Sequence, residues 1–172
     1  MTADALKVLI YGYGNPGRLD DGLGPAFADA FETMHLKGVT VDSNYQLSIE
    51  DAAAVQEHNV VIFADADTAG AGPFFFKRIE PKAEISFSTH SVKPEALLAL
   101  AQEYLGSAPV EGYLLGIRGY EFNEFGEKIS DMAKQNLQAA VEFVQKVLQE
   151  QNFSERAKLY ESVSVRGESV DG

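Results

Sequence analysis

Val8-Leu9-Ile10-Tyr11-Gly12-Tyr13-Gly14-Asn15-Pro16-Gly17 is the stretch on which the reading of the fold turns. A short apolar run stopped by glycines suits a buried parallel strand. Beyond it, apolar residues recur at Leu23, Ala26, Phe27, Ala30, Phe31 and Met34. That is the stripe of an amphipathic helix, and Pro25 suits its first turn. Val39-Thr40-Val41 predicts a second strand, and Ser48-Ile49-Glu50-Asp51 resembles a capping box opening a short helix. Val60-Val61-Ile62-Phe63 predicts a third strand, which ends at Asp65.

The alternation continues outward. Residues 74–79 read as a strand set off by Gly70, Gly72 and Pro73, and Pro94 starts a helix striped by Leu97, Leu98, Ala101, Tyr104 and Leu105. Residues 113–117 form a further strand. A long helix from about Ser130 carries Ala133, Leu137, Ala140, Val141, Val144, Val147 and Leu148 on one face. Strands alternating with helices predict an α/β three-layer sandwich, with a twisted, mostly parallel sheet between helices. One domain over residues 1–150 is expected, followed by a polar C-terminal tail at 151–172, where periodicity fades.

Composition narrows the partners. Fourteen basic residues against twenty-six acidic ones give a net charge of −12. Such a surface repels phosphate backbones, so no nucleic acid partner is expected. There is no cysteine, which removes disulfides, thiolate metal sites and a cysteine nucleophile together. Residues 1–7 lack a basic n-region, and no segment approaches the ~20 apolar residues that cross a bilayer. No membrane partner, a cytoplasmic location and a monomeric state are the expectations.

Residues 12–17 match G-x-G-x-x-G straight after a strand, with Asp42 placed to contact a ribose, so a dinucleotide-binding module is one reading. Against it, Pro16 removes an amide donor, and Asp20 and Asp21 sit where a pyrophosphate needs room. The other reading is that the loop displays a carboxylate at the carboxyl end of the first strand. On that reading Gly22 and Gly24 turn the backbone and hold one acid inward, while the other is solvated or complements a helix dipole.

Asp65 directly follows a buried apolar run, where a carboxylate is costly unless paired, solvated or bound to a cation. With strand order 2-1-3, the first and third strands flank the switch-point crevice, which places Asp21 and Asp65 across one cleft. Asp67 is a second candidate for the same position, and a loop or capping role is the plain alternative for Asp65. His90, in the polar turn Ser88-Thr89-His90-Ser91 before a helix, is the third piece; His35 and His58 read as surface or capping residues. Two carboxylates and an imidazole make an open site for a divalent ion such as nickel or zinc.

These residues carry a family resemblance. Gly12-Tyr13-Gly14-Asn15-Pro16, Asp20-Asp21-Gly22-Leu23-Gly24, Asp65-Ala66 and Ser88-Thr89-His90-Ser91 together resemble the hydrogenase maturation proteases. Leu114-Leu115-Gly116-Ile117, the loop after it and Ile129-Ser130 are similar to that family's last strand, loop and helix start, so the resemblance covers about residues 6–148. It implies a phosphorylase/hydrolase-like sandwich and an endopeptidase that removes the C-terminal extension of a nickel–iron hydrogenase large-subunit precursor after nickel insertion. The family's catalytic and metal-binding positions fall on Asp21, Asp65 and His90. Many members carry glutamate at the first of these; Asp21 is one methylene shorter, a departure in reach and not in chemical type. Nickel would come with the substrate, and no organic cofactor is implied.

The residues themselves agree with metal-assisted hydrolysis. The chain has no Gly-x-Ser-x-Gly elbow and no His-Glu-x-x-His helix, and Asp20 or Asp67 is left as a spare carboxylate for a base. A non-catalytic chaperone that senses metal on hydrogenase is the further alternative.

Overall fold

The structure is a computed structural model, and it describes residues 5–83, 92–104 and 108–162. His90 lies outside the described residues. Five strands, β1 (Val8–Tyr13), β2 (Val39–Asn44), β3 (Val60–Asp67), β4 (Phe74–Ile79) and β5 (Glu111–Arg118), form one sheet in the order β2-β1-β3-β5-β4. The first four in that spatial order pair in parallel, and β4 closes the edge antiparallel to β5. The expected order 2-1-3 is present, and with it a switch point at the carboxyl ends of β1 and β3.

Alternation along β1 explains the layers. Val8 and Ile10 face one side with α1 (Leu23–Glu32) and α4 (Asp131–Glu150); Leu9 and Tyr11 face the other with α2 (Ala52–Gln56) and α3 (Pro94–Tyr104). All four side chains are buried, which is why this strand reads as a continuous apolar run and not as an alternating one. The capping box is present: the Ser48 amide donates to Asp51 Oδ2 at 2.8 Å, and the Tyr11 hydroxyl donates to the same oxygen at 2.9 Å.

Two expectations need correction. Gly24 does not turn the chain; it lies inside α1, where a Cβ would collide with the carbonyl oxygens of Tyr13 and Ala64. Its service is close approach, seating the start of α1 directly on the ends of β1 and β3. The polar tail expected from residue 151 instead contains a helix, α5 (Phe153–Tyr160). Gln151 takes a left-handed conformation (φ 53°) and its amide caps Val147 O at 2.7 Å, which ends α4 and redirects the chain. Phe153 and Ala157 are then buried, and Tyr160 stacks on Phe74 of β4 at 5.8 Å between centroids.

Candidate functional site

The loop after β1 consumes its own amides. Gly14 N–H donates to Asn44 O (3.1 Å), Asn15 N–H to Asp21 Oδ2 (2.7 Å), Gly17 N–H to Asn15 Oδ1 (2.8 Å) and Arg18 N–H to Asn15 O (3.0 Å). Pro16 has no amide to give. The donors that would cradle a pyrophosphate are therefore taken, and a carboxylate holds one of them. This geometry argues against the nucleotide-binding reading of residues 12–17.

The same network fixes the turn that carries the paired acids. Residues Leu19–Gly22 form a 3₁₀ turn leading into α1. Leu19 has φ 51°, a left-handed conformation that costs a residue with a Cβ about 1 kcal/mol. It is held from outside: Leu19 N–H donates to Gly126 O (2.8 Å), Gly126 N–H to Gly17 O (2.8 Å) and Asp20 N–H to Glu121 O (2.9 Å).

Asp20 and Asp21 then diverge. Asp20 is fully buried, which corrects the expectation that the partner of the inward acid is solvated. Its Oδ1 accepts from Ser130 N–H (2.7 Å), and its Oδ2 from Tyr120 N–H (2.8 Å), Glu121 N–H (3.0 Å) and the Ser130 hydroxyl (2.7 Å). Burial pushes its pKa up, but these four donors outweigh burial and hold the carboxyl below the ordinary range. With four donors engaged, Asp20 is poorly placed to serve as a base. Asp21, half-buried, turns toward the loop and β3.

Asp65 lies near the end of β3, one step beyond the Gly12–Ala64 pair. Burial pushes its pKa up to about 7; the charges of Asp21 and Asp67 add to this, while the Ala66 amide and the Tyr13 hydroxyl oppose it. The Ala66 N–H to Asp65 Oδ1 distance is 2.8 Å. Asp21 thus lies near enough to Asp65 for its charge to raise the pKa of that acid. Asp67 is occupied differently: its oxygens accept from Ala69 N–H (3.3 Å) and Gly70 N–H (3.1 Å), so it shapes the following turn.

Two residues at the site escape the sequence reading. Tyr13 hydrogen-bonds Asp65; its own pKa is raised by burial first, then by the charges of Asp65 and Glu95. The signal was present in the alternation of β1, which puts Tyr13 on the same face as Tyr11 and next to the end of β3. Glu95 opens α3, and no local spacing connects it to β1. His58, by contrast, behaves as expected, with Nδ1 2.6 Å from Ala54 O. Among the described residues no group of three histidine or acidic side chains is close enough to hold a metal ion. The acid pair Asp21 and Asp65 is what the described residues provide.

A doubly wound α/β domain with an acid pair at its switch point is the class that this geometry defines. No protein-family model matches the chain. In sequence it is similar to the hydrogenase expression/formation protein HupD of Thiocapsa roseopersicina, 27% identical over 148 residues. That alignment takes in 79% of this chain and 65% of HupD, so the chain spans somewhat less than two thirds of that relative's length. In fold it is similar to the hydrogenase maturating endopeptidase HybD of E. coli, with TM-score 0.67 and 19% identity over 87% of this chain and 96% of that one. The [NiFe] hydrogenase maturation protease HycI of Thermococcus kodakarensis gives TM-score 0.65 and 19% identity over 83% and 92%. Fold and sequence thus agree with the resemblance to the hydrogenase maturation protease family drawn from the motifs.

Proposed function

We propose that the protein is an endopeptidase that removes a C-terminal extension from the large-subunit precursor of a nickel–iron hydrogenase. The observation that carries this reading is the apposition of Asp21 and Asp65 at the switch point of a fold shared with hydrogenase maturation proteases. Two acids held together with one pushed up to about 7 form a place where a cation replaces a proton at low cost. The donor set therefore fits a hard or borderline divalent ion, and His90 is the third ligand that the family resemblance implies.

In this reading nickel arrives with the precursor as part of the substrate. Asp21 and Asp65 recognise it, and a precursor without nickel meets two like charges and gains no anchor. Cutting then needs a water directed at the scissile carbonyl, with metal ion and acids supplying the electrostatics. No helix among the described residues is long and apolar enough to cross a membrane. The cytoplasm is the proposed compartment.

The test is incubation with nickel-loaded and nickel-free precursor, read by intact mass of the large subunit. Loss of the C-terminal segment only from loaded precursor is the expected result. Binding to loaded precursor without any mass loss would favour the metal-sensing chaperone instead.

A further inference from the structure

We propose that Asp20 is a positioning residue for Asp21: its buried carboxylate fastens the acid-bearing turn to the connection between β5 and α4. Asp20 is 0% exposed, yet it lies beside an acid that must face the cleft. Its four donors come from residues 100 to 110 positions away, in a segment that makes none of the acid pair. A buried carboxylate surrounded by N–H and O–H donors is satisfied in one orientation only, because every donor points inward at a fixed place.

The backbone converts that fixity into the direction of Asp21. Asp20 and Asp21 share a peptide unit, and the turn is held on the other side by Leu19 and Gly126. With both flanks fixed, the Asp21 side chain reaches one amide, Asn15 N–H, at 2.7 Å. The Asn15 amide is thus a reporter of where Asp21 points. Gly119 adds a second constraint, since a Cβ there would meet Asp20 Cβ and the Leu23 side chain, so the connection lies directly against the turn.

What Asp21 does chemically rests on the proposed function; that Asp20 aims it does not. The test therefore has two arms on the full-length protein. In the first, amide hydrogen exchange by NMR is compared between the wild-type protein and Asp20→Asn, which keeps the volume but turns a donor toward donors. Exchange at Asn15 is expected to speed up about tenfold or more, while Ile10 and Ile62 in the central strands keep their protection. In the second, processing of nickel-loaded precursor is expected to fall about 100-fold in kcat, with KM within about threefold, the signature of a misplaced group and not of lost docking.

An unchanged Asn15 amide overturns the proposal; a faster Asn15 amide with processing within about twofold of wild type upholds the aiming and defeats the role proposed for Asp21 instead. If Asp20→Asn does not fold, Ser130→Ala removes one of the four donors and decides instead. Faster exchange at Asn15 with Ile10 and Ile62 unmoved supports the assignment, and no change at Asn15 sinks it. A wild-type protein that processes no precursor defeats the proposed function, while the exchange arm still decides the role of Asp20.

Discussion

Two neighbouring parts of the molecule hold a carboxylate out of water, and they treat it in opposite ways. The turn around Asp20 surrounds the acid with four donors and keeps it ionised. The end of β3 gives Asp65 one backbone amide and a tyrosine hydroxyl, then sets Asp21 and Asp67 nearby, so the acid holds its proton up to about pH 7. Contact with solvent does not separate the two, because Asp20 is the less exposed. Burial among protein atoms raises Asp65 first, and the balance of donors decides the outcome: four outweigh burial at Asp20, and fewer fail to at Asp65. A saturated carboxylate is structural material, whereas an under-supplied one keeps capacity for an ion or a proton.

The largest effect that would test this contrast is on function. Asp21→Asn, Asp65→Asn and His90→Ala are each expected to lower precursor processing by about 1,000-fold or more, about 4 kcal/mol of transition-state stabilisation. Normal processing by any two of them breaks the assignment of the under-supplied acid as the working one. Next in size is stability. Asp20→Asn leaves buried donors facing a donor and is expected to cost about 3 kcal/mol, read from the urea midpoint at pH 7.

Asp65→Asn sharpens the contrast by moving the other way. Its folded pKa, about 7, lies above the ordinary 3.8, so the folded state keeps a proton that the unfolded chain has lost. Stability from this group is therefore full below about pH 4, falls as pH rises toward 7 and levels off above it. At pH 8 Asp65→Asn is expected to be more stable than wild type by roughly 2 kcal/mol, and at pH 4 by much less. A variant destabilised at pH 8 would show that Asp65 is satisfied after all. Asp20 has the opposite sign: its contribution is present above the ordinary carboxylate range and is lost as pH falls through its lowered pKa. Smallest are His35→Ala and His58→Ala. Both are expected to process precursor normally and to stay within about 1 kcal/mol of wild type.

Much of the fold was legible because its signals are local. The apolar runs of β1 and β3, the stripes of α1, α3 and α4, and the capping box at Ser48 each sit within one short window. The doubly wound pattern that they form carries the strand order 2-1-3, which the sheet has. What escaped depends on distant partners. That Asp20 is buried and saturated could not be read from two adjacent aspartates, because its donors are Tyr120, Glu121 and Ser130, far along the chain. The helix α5 escaped for another reason. Phe153, Ala157 and Tyr160 do form a stripe, but over eight polar-rich residues it is too short to stand out, and Gln151 ends α4 without the usual glycine.

That last helix also sets a timetable. Phe74 and Phe76 of β4 find their ring partners in Tyr113, Phe143 and Tyr160, all far later in the chain. On a ribosome adding about 5–20 residues each second, the roughly 80 residues between β4 and the end of α5 take about 4–16 s to appear. Over that interval the most aromatic strand of the sheet gains its cover piecemeal: Tyr113 with β5, then Phe143 with α4, and Tyr160 with α5 last. The moment of greatest exposure for this protein thus falls during its own synthesis, and residues 153–160 bring it to an end.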